Sequence, residues 1–251
     1  MKKGLWFNQF EEEVTMLKIK NYHKYYGEKH AVKGVDIQVN CGEIFGFIGH
    51  NGAGKTTLIR SICGIMDFDE GEILIDGINI TKEPLKCKQR IAYIPDNPDL
   101  YENLSGIQYL TFLVNIYAVD KEKAKEDIEA LAKEFEIYSN LGDSISSYSH
   151  GMKQKLVIIG ALIHHPKLLI MDEPFVGLDP KAAFILKQKM NELCKQGGSI
   201  FFSTHVLDVV EKLCDRIAII KQGEIVMEGK TEDMIKDKSL EEVFLDLEYV
   251  K

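Results

Sequence analysis

The sequence predicts an α/β fold, a parallel-sheet core interrupted by an inserted helical segment, and three observations predict it. Leu168-Leu169-Ile170-Met171 is apolar at every position, the pattern of a strand in a parallel sheet with both faces covered. Glu43-Ile44-Phe45-Gly46-Phe47-Ile48 is a second apolar strand, and it runs into a glycine-rich loop and then a helix. Between about residues 97 and 166 the apolar side chains recur at helical spacing, without the alternation of strand and helix found on either side.

The elements follow in order. From Leu17 to Val39, short β-like segments are punctuated by turn residues at Tyr26-Gly27 and Lys33-Gly34. Gly71 to Gly77 reads as a β segment closed by an Asp-Gly turn. Ser105-Gly106-Ile107-Gln108 fits a capping box, with Ile107, Leu110, Val114 and Tyr117 on one face of the helix it opens. Asp120 is placed to cap a second helix, along which Ala124, Ile128, Leu131 and Phe135 recur. A third begins near Gly151 and aligns Met152, Leu156, Ile159 and Ile163. Asp179-Pro180 opens a helix ending at Gly197. Ser199–Ser203 and Arg216–Ile220 are further strands. Leu240, Val243, Phe244 and Leu247 form a terminal helical stripe expected to pack on the chain's own core.

Composition narrows the classes. The 251 residues are 45% hydrophobic and 28% charged, which excludes disordered, collagen-like and membrane-embedded chains. The longest apolar run, Leu156 to Ile163, is far short of the roughly 20 residues of a spanning helix. A net charge of −8 argues against a nucleic-acid partner held through phosphates. Five cysteines without a C-x-x-C pair are expected to be free thiols in a reducing compartment. No signal peptide is read in the N-terminal residues.

The chemistry gathers at three strand ends. Gly49-His50-Asn51-Gly52-Ala53-Gly54-Lys55-Thr56 matches G-x-x-x-x-G-K-[ST] between a strand and the helix opening at Thr57. Glycines let successive N–H groups point inward as an anion nest, and the helix dipole adds positive potential there. Lys55 is expected to meet the terminal phosphates of a nucleotide, and the Thr56 hydroxyl to ligate Mg²⁺. Asp172-Glu173 ends the Leu168–Met171 strand, where adjacent carboxylates are costly unless they serve a cation or a reaction. Asp172 is assigned to Mg²⁺, directly or through water, and Glu173 to polarising the attacking water. Ser203-Thr204-His205 follows another apolar strand, which brings His205 to the same C-terminal sheet edge, the ligand edge of open α/β sheets.

With these motifs in this order, residues 16–251 resemble the ATP-binding subunits of ABC transporters. Ser149-His150-Gly151-Met152 resembles the family's signature, Gly177-Leu178-Asp179 its D-loop, and Tyr26 the aromatic residue on which adenine stacks. The resemblance implies a P-loop NTPase core of RecA-like type with an N-terminal antiparallel β subdomain. It also implies the division of the chain: a tail over 1–15, the ATP-binding core over 16–96 and 167–230, the helical subdomain with the signature over 97–166, and a C-terminal helical tail over 231–251. It further implies ATP and Mg²⁺ as cofactors, ATP hydrolysis, an integral membrane permease as partner, and a site on the inner face of the cell membrane. Two copies, or one copy and a related subunit, would sandwich two ATP. Each site would then pair one phosphate loop (Gly49 to Thr57) with Ser149 and Gly151 of the other subunit, and Met152 and Asp179 are implied as further nucleotide-binding residues. The Tyr148–Gln154 segment and the short insertion look most like the branch exporting drugs, bacteriocins, sodium or lipid-linked products.

Three positions depart from the family pattern: His50 for a proline, His150 for a glycine, and Asp96 for a glutamine that contacts Mg²⁺ or a bridging water. ATP binding is expected to survive His50, where mainly the backbone is needed. Together the three departures bear on turnover rate and not on reaction class, and His150 requires a backbone that avoids positive φ. Glu11 to Thr15 can be encoded by a purine-rich run of ribosome-binding type, so translation is expected to start at Met16. Three other classes compete. A soluble ABC protein acting on ribosomes or DNA would need a second cassette, a long coiled coil or a basic surface, none of which the sequence shows. A regulatory GTPase would carry an Asn-Lys-x-Asp segment, and none occurs. A non-catalytic module requires that the altered signature abolish turnover.

Overall fold

The computed structural model describes residues 14–236 and 238–249. Residues 1–13 of the expected tail, which a start at Met16 would omit together with Val14 and Thr15, lie outside the described residues. The tail's end is corrected by one residue: Thr15 opens the first strand, opposite Asn40.

Two sheets form. In the first, β1 (Thr15–Tyr26), β2 (Lys29–Asn40), β4 (Glu70–Ile75) and β5 (Ile78–Asn79) pair antiparallel in the order β2-β1-β4-β5. The turn expected at Lys33-Gly34 is not one. Gly34 lies inside β2, where Tyr22 faces Val35 and His23 faces Lys33, so the glycine is an extra, bulged residue. The second sheet follows the order β10-β9-β3-β8-β7-β6, from β3 (Ile44–Ile48), β6 (Ile91–Ile94), β7 (Leu168–Asp172), β8 (Ser199–Thr204), β9 (Arg216–Lys221) and β10 (Glu224–Lys230). All neighbours there are parallel except β9 and β10.

The apolar strands are buried on both faces, as their composition predicts. Phe45, Phe47, Ile170 and Phe201 point to one core, shared with the antiparallel sheet and with α1 (Lys55–Ile62). Their neighbours Ile44, Ile48, Met171 and Phe202 point to the other. That second core takes in α3 (Gly106–Ile116), α4 (Lys121–Glu134), α5 (His150–Leu162), α6 (Pro180–Lys195) and α7 (Leu207–Leu213). The short α2 (Pro84–Lys88) buries Cys87 against the first core.

The local signals hold. Ser105 and Gln108 form the reciprocal capping box, Asp120 accepts from the Lys123 N–H, and Asp179 accepts from the Ala182 N–H. After β10 come α8 (Thr231–Met234) and α9 (Leu240–Tyr249). Leu240 is fully buried, and Val243, Phe244 and Leu247 pack on the second core, as the stripe predicts. All five cysteines are free, and among the described residues no helix is long and apolar enough to cross a membrane.

Candidate functional site

The phosphate loop bridges the end of β3 and the start of α1. A side chain at Gly49 would drive its Cβ to 2.5 Å from the Ile220 carbonyl oxygen, and Gly54 stands at φ 114, where side-chain-bearing residues are strained. Lys55 is buried and folds back into the loop, donating to the Gly49 carbonyl at 2.5 Å and the His50 carbonyl at 3.2 Å. Burial pulls its pKa below the usual lysine range, opposed by the nearby carboxylates of Glu173 and Asp172. Asn51, Gly52 and Ala53 complete the curve, and Thr57 follows Thr56 in the first turn of α1.

Parallel pairing puts the ends of β3, β7 and β8 side by side, and the three strand-end motifs meet there. Thr56 donates to Asp172 Oδ2 at 2.6 Å, while the Ser203 hydroxyl donates to Oδ1 of the same carboxylate. Asp172 is 2% exposed, so these two hydroxyls stand in for water around a buried charge. Two hard oxygens 2.6 Å apart, one a carboxylate, match the donors Mg²⁺ takes beside phosphate oxygens.

Glu173 leaves the strand at φ 49, a left-handed conformation rare for a residue with a side chain. Its Oε1 lies 2.9 Å from His205 Nδ1 and 3.9 Å from Lys55 Nζ, and the His205 N–H donates to Oε2 at 3.3 Å. The Oε1 contacts are close without hydrogen-bond alignment, so a buried carboxylate oxygen keeps an open lone pair beside the phosphate loop.

Asp96 is exposed, two residues past the end of β6. Although its side chain reaches solvent, partial burial and then the charges of Asp172 and Glu173 push its carboxyl above the usual aspartate range, against the opposing His150 and His205. Folding thus favours the protonated form: the charge costs stability above the raised pKa, and the cost vanishes below the unfolded value of about 4. Asp96→Asn should melt higher than wild type at pH 7, with the gap closing as the pH falls towards that value. Calorimetry at both pH values checks this, and an unraised melting temperature at pH 7 counts against a crowded carboxylate cluster.

Tyr26 ends β1 with an exposed ring. Its hydroxyl is 3.4 Å from Thr57 Oγ1 and donates to Met66 Sδ at 3.0 Å, which sets an open aromatic face beside the start of α1.

The signature residues stand apart: the described hydrogen bonds and ion pair of Ser149, Met152 and Asp179 stay within α5 and α6 and do not reach the phosphate loop. Ser149 caps α5, accepting from the Met152 N–H at 3.3 Å, and His150 keeps negative φ, so the helix N-terminus forms despite the missing glycine. The His150 ring lies against Gly177, close enough that a Cβ there would meet its Cδ2 at 2.6 Å. Asp179 caps α6 and meets Lys155 of α5 at 2.6 Å, an ion pair that holds its carboxyl below the usual range.

Sequence reasoning missed Ser203 as a partner of Asp172 and Lys155 as a tie between signature helix and D-loop. Ser203 had a signal, its place at a strand end two residues before His205. Lys155 had none, because its partner is on another helix.

Comparison with known proteins points one way. The profile described as "ABC transporter" matches residues 32–176. The chain is 36% identical over 239 residues to the ABC-type transporter ATP-binding protein EcsA of Bacillus subtilis, covering 93% of this chain and 97% of that one. It is 38% identical to the linearmycin resistance ATP-binding protein LnrL of the same organism, over 87% of this chain and 70% of that protein. Identity to the Nod factor export ATP-binding protein I of Rhizobium etli is 30%, over 89% and 71%. A solved ATP-binding subunit of an ABC transporter superposes with a TM-score of 0.90 at 34% identity, over 93% of this chain and all of that one.

Proposed function

This chain belongs to the ATP-binding subunits of ABC transporters and is an ATPase of that type, and from that premise we propose that it drives export through a separate integral membrane permease, closing with a second copy or a related subunit around two ATP at the cytoplasmic face of the membrane. The observation that carries the motor reading is the meeting of Thr56, Ser203 and Asp172 with Glu173 and His205 beside Lys55. Support for export comes from relatives named for linearmycin resistance and Nod factor export.

In this reading the N–H groups from Gly49 to Thr57 and the Lys55 ammonium receive the triphosphate, and Tyr26 receives the adenine ring. Lys55 exchanges the Gly49 and His50 carbonyls for phosphate oxygens. Thr56 and Asp172, with Asp96 in reach, would hold Mg²⁺, whose charge would offset that building on the phosphate oxygens. Glu173 orients the attacking water through its open Oε1 and takes its proton, and His205 holds Glu173 in place. Ser149, Gly151, Met152 and Asp179 face the other subunit's nucleotide. Closure moves the helical insertion, and the segment from Asp96 to Leu104 passes that movement to the permease.

A tagged chain should bring down an integral membrane protein, and the pair should hydrolyse ATP faster than the chain alone. Recovery without any membrane protein, at a rate no partner raises, overturns the transporter reading. Asp96→Ala should bind ATP nearly as wild type does but lose the stimulation by the permease. Equal loss of basal and stimulated rates would instead place Asp96 in the chemistry.

A further inference from the structure

Helix α9 touches the phosphate loop from outside. The Phe244 ring sits 4.7 Å from the His50 ring, centroid to centroid, tilted by 51°. One turn later, the Leu247 carbonyl accepts a hydrogen bond from Lys221 Nζ at 2.7 Å. Lys221 ends β9, and two residues on, the Gly223 N–H donates to the Ala53 carbonyl at 3.0 Å. The helix therefore reaches the loop twice, directly at residue 50 and through the β9–β10 turn at residue 53. Its own position is fixed: the Leu240 N–H donates to Glu211 of α7, and Leu240 is fully buried.

We propose that α9 buttresses the phosphate loop and that Phe244 is a positioning residue for the triphosphate, acting through His50. The proposal rests on reading Gly49–Thr56 as the triphosphate site. An anion nest works only while its N–H groups converge, and residues 50 and 53 lie within the curve that makes them do so. The His50 side chain gives the loop a handle that a distant part of the sequence can hold. Edge and face contacts between rings supply such a hold without fixing one geometry.

The test uses the full chain and titration with a fluorescent ATP analogue. His50→Ala and Phe244→Ala should each weaken binding roughly 2- to 10-fold, the range for losing one aromatic pair. The double variant should be no weaker than the weaker single one, because both remove the same contact. Phe244→Tyr, which keeps the ring, should bind as wild type does. In steady state the KM for ATP should rise in both single variants by about the same factor as the binding constant, and return to the wild-type value in Phe244→Tyr. Phe244→Ala also removes packing, so His50→Ala, at an exposed position, carries the same expectation without disturbing the core. Wild-type affinity in His50→Ala, or effects that multiply in the double variant, overturns the proposal while leaving the site assignment standing. Lys55→Ala separates the two: if it too binds ATP as wild type does, the assignment of the loop fails and the buttress with it.

Discussion

Glu173→Gln should lose ATP hydrolysis by about 10²- to 10⁴-fold, the usual cost of removing one general base, while still binding ATP. The substitution keeps the shape and a hydrogen-bonding oxygen but loses the charge that makes water nucleophilic. Lys55, Thr56 and Asp172, which would hold nucleotide and metal, are untouched. On the proposed closure around two ATP, with Ser149 and Gly151 intact, the variant should accumulate as an ATP-bound dimer to a greater extent than wild type. Size-exclusion chromatography with and without ATP, beside a phosphate-release assay, reads both effects. Wild-type turnover in the variant removes Glu173 from the chemistry. Loss of turnover in a chain that stays monomeric points to the His150-altered signature or to a need for the permease, and repeating the experiment on the assembled transporter tells these apart.

Lys55→Ala should weaken ATP binding by roughly 1.5–3 kcal/mol, the range for hydrogen bonds to a charged group, which is about 10- to 150-fold in Kd. The ammonium is buried at the focus of the loop, held by the Gly49 and His50 carbonyls and 3.9 Å from Glu173. Its removal takes away the cation and also leaves Glu173 without its nearest lysine. Calorimetric titration with ATP measures the loss, and unchanged affinity would mean that the loop binds something else.

Elements whose causes lie within a few residues are legible along the chain. A capping box at Ser105, caps at Asp120 and Asp179, and a glycine loop between strand and helix each depend on groups no more than one turn apart. Spacing along the chain records such contacts directly. The same holds for Asp172-Glu173, since a pair of carboxylates ending an apolar strand is conspicuous wherever the strand is placed. Where physics is local in one direction only, the reading was partial: Gly34 signals a break, but only pairing against β1 makes it a bulge instead of a turn.

The remaining contacts depend on packing between distant segments. Ser203 becomes a donor to Asp172 because β7 and β8 are parallel neighbours in register, with Asp172 opposite Ser203. Lys155 meets Asp179 because the N-terminal half of α5 lies beside the start of α6. β10 carries a half-exposed alternation that gave no strand signal, and it forms because β9 offers an unpaired edge. His50 and Phe244 come from opposite ends of the sequence and touch only because α9 folds back across the end of β9. In each case the partner is set by the order of strands and the packing of helices, and periodicity along one segment holds no record of its neighbour in space.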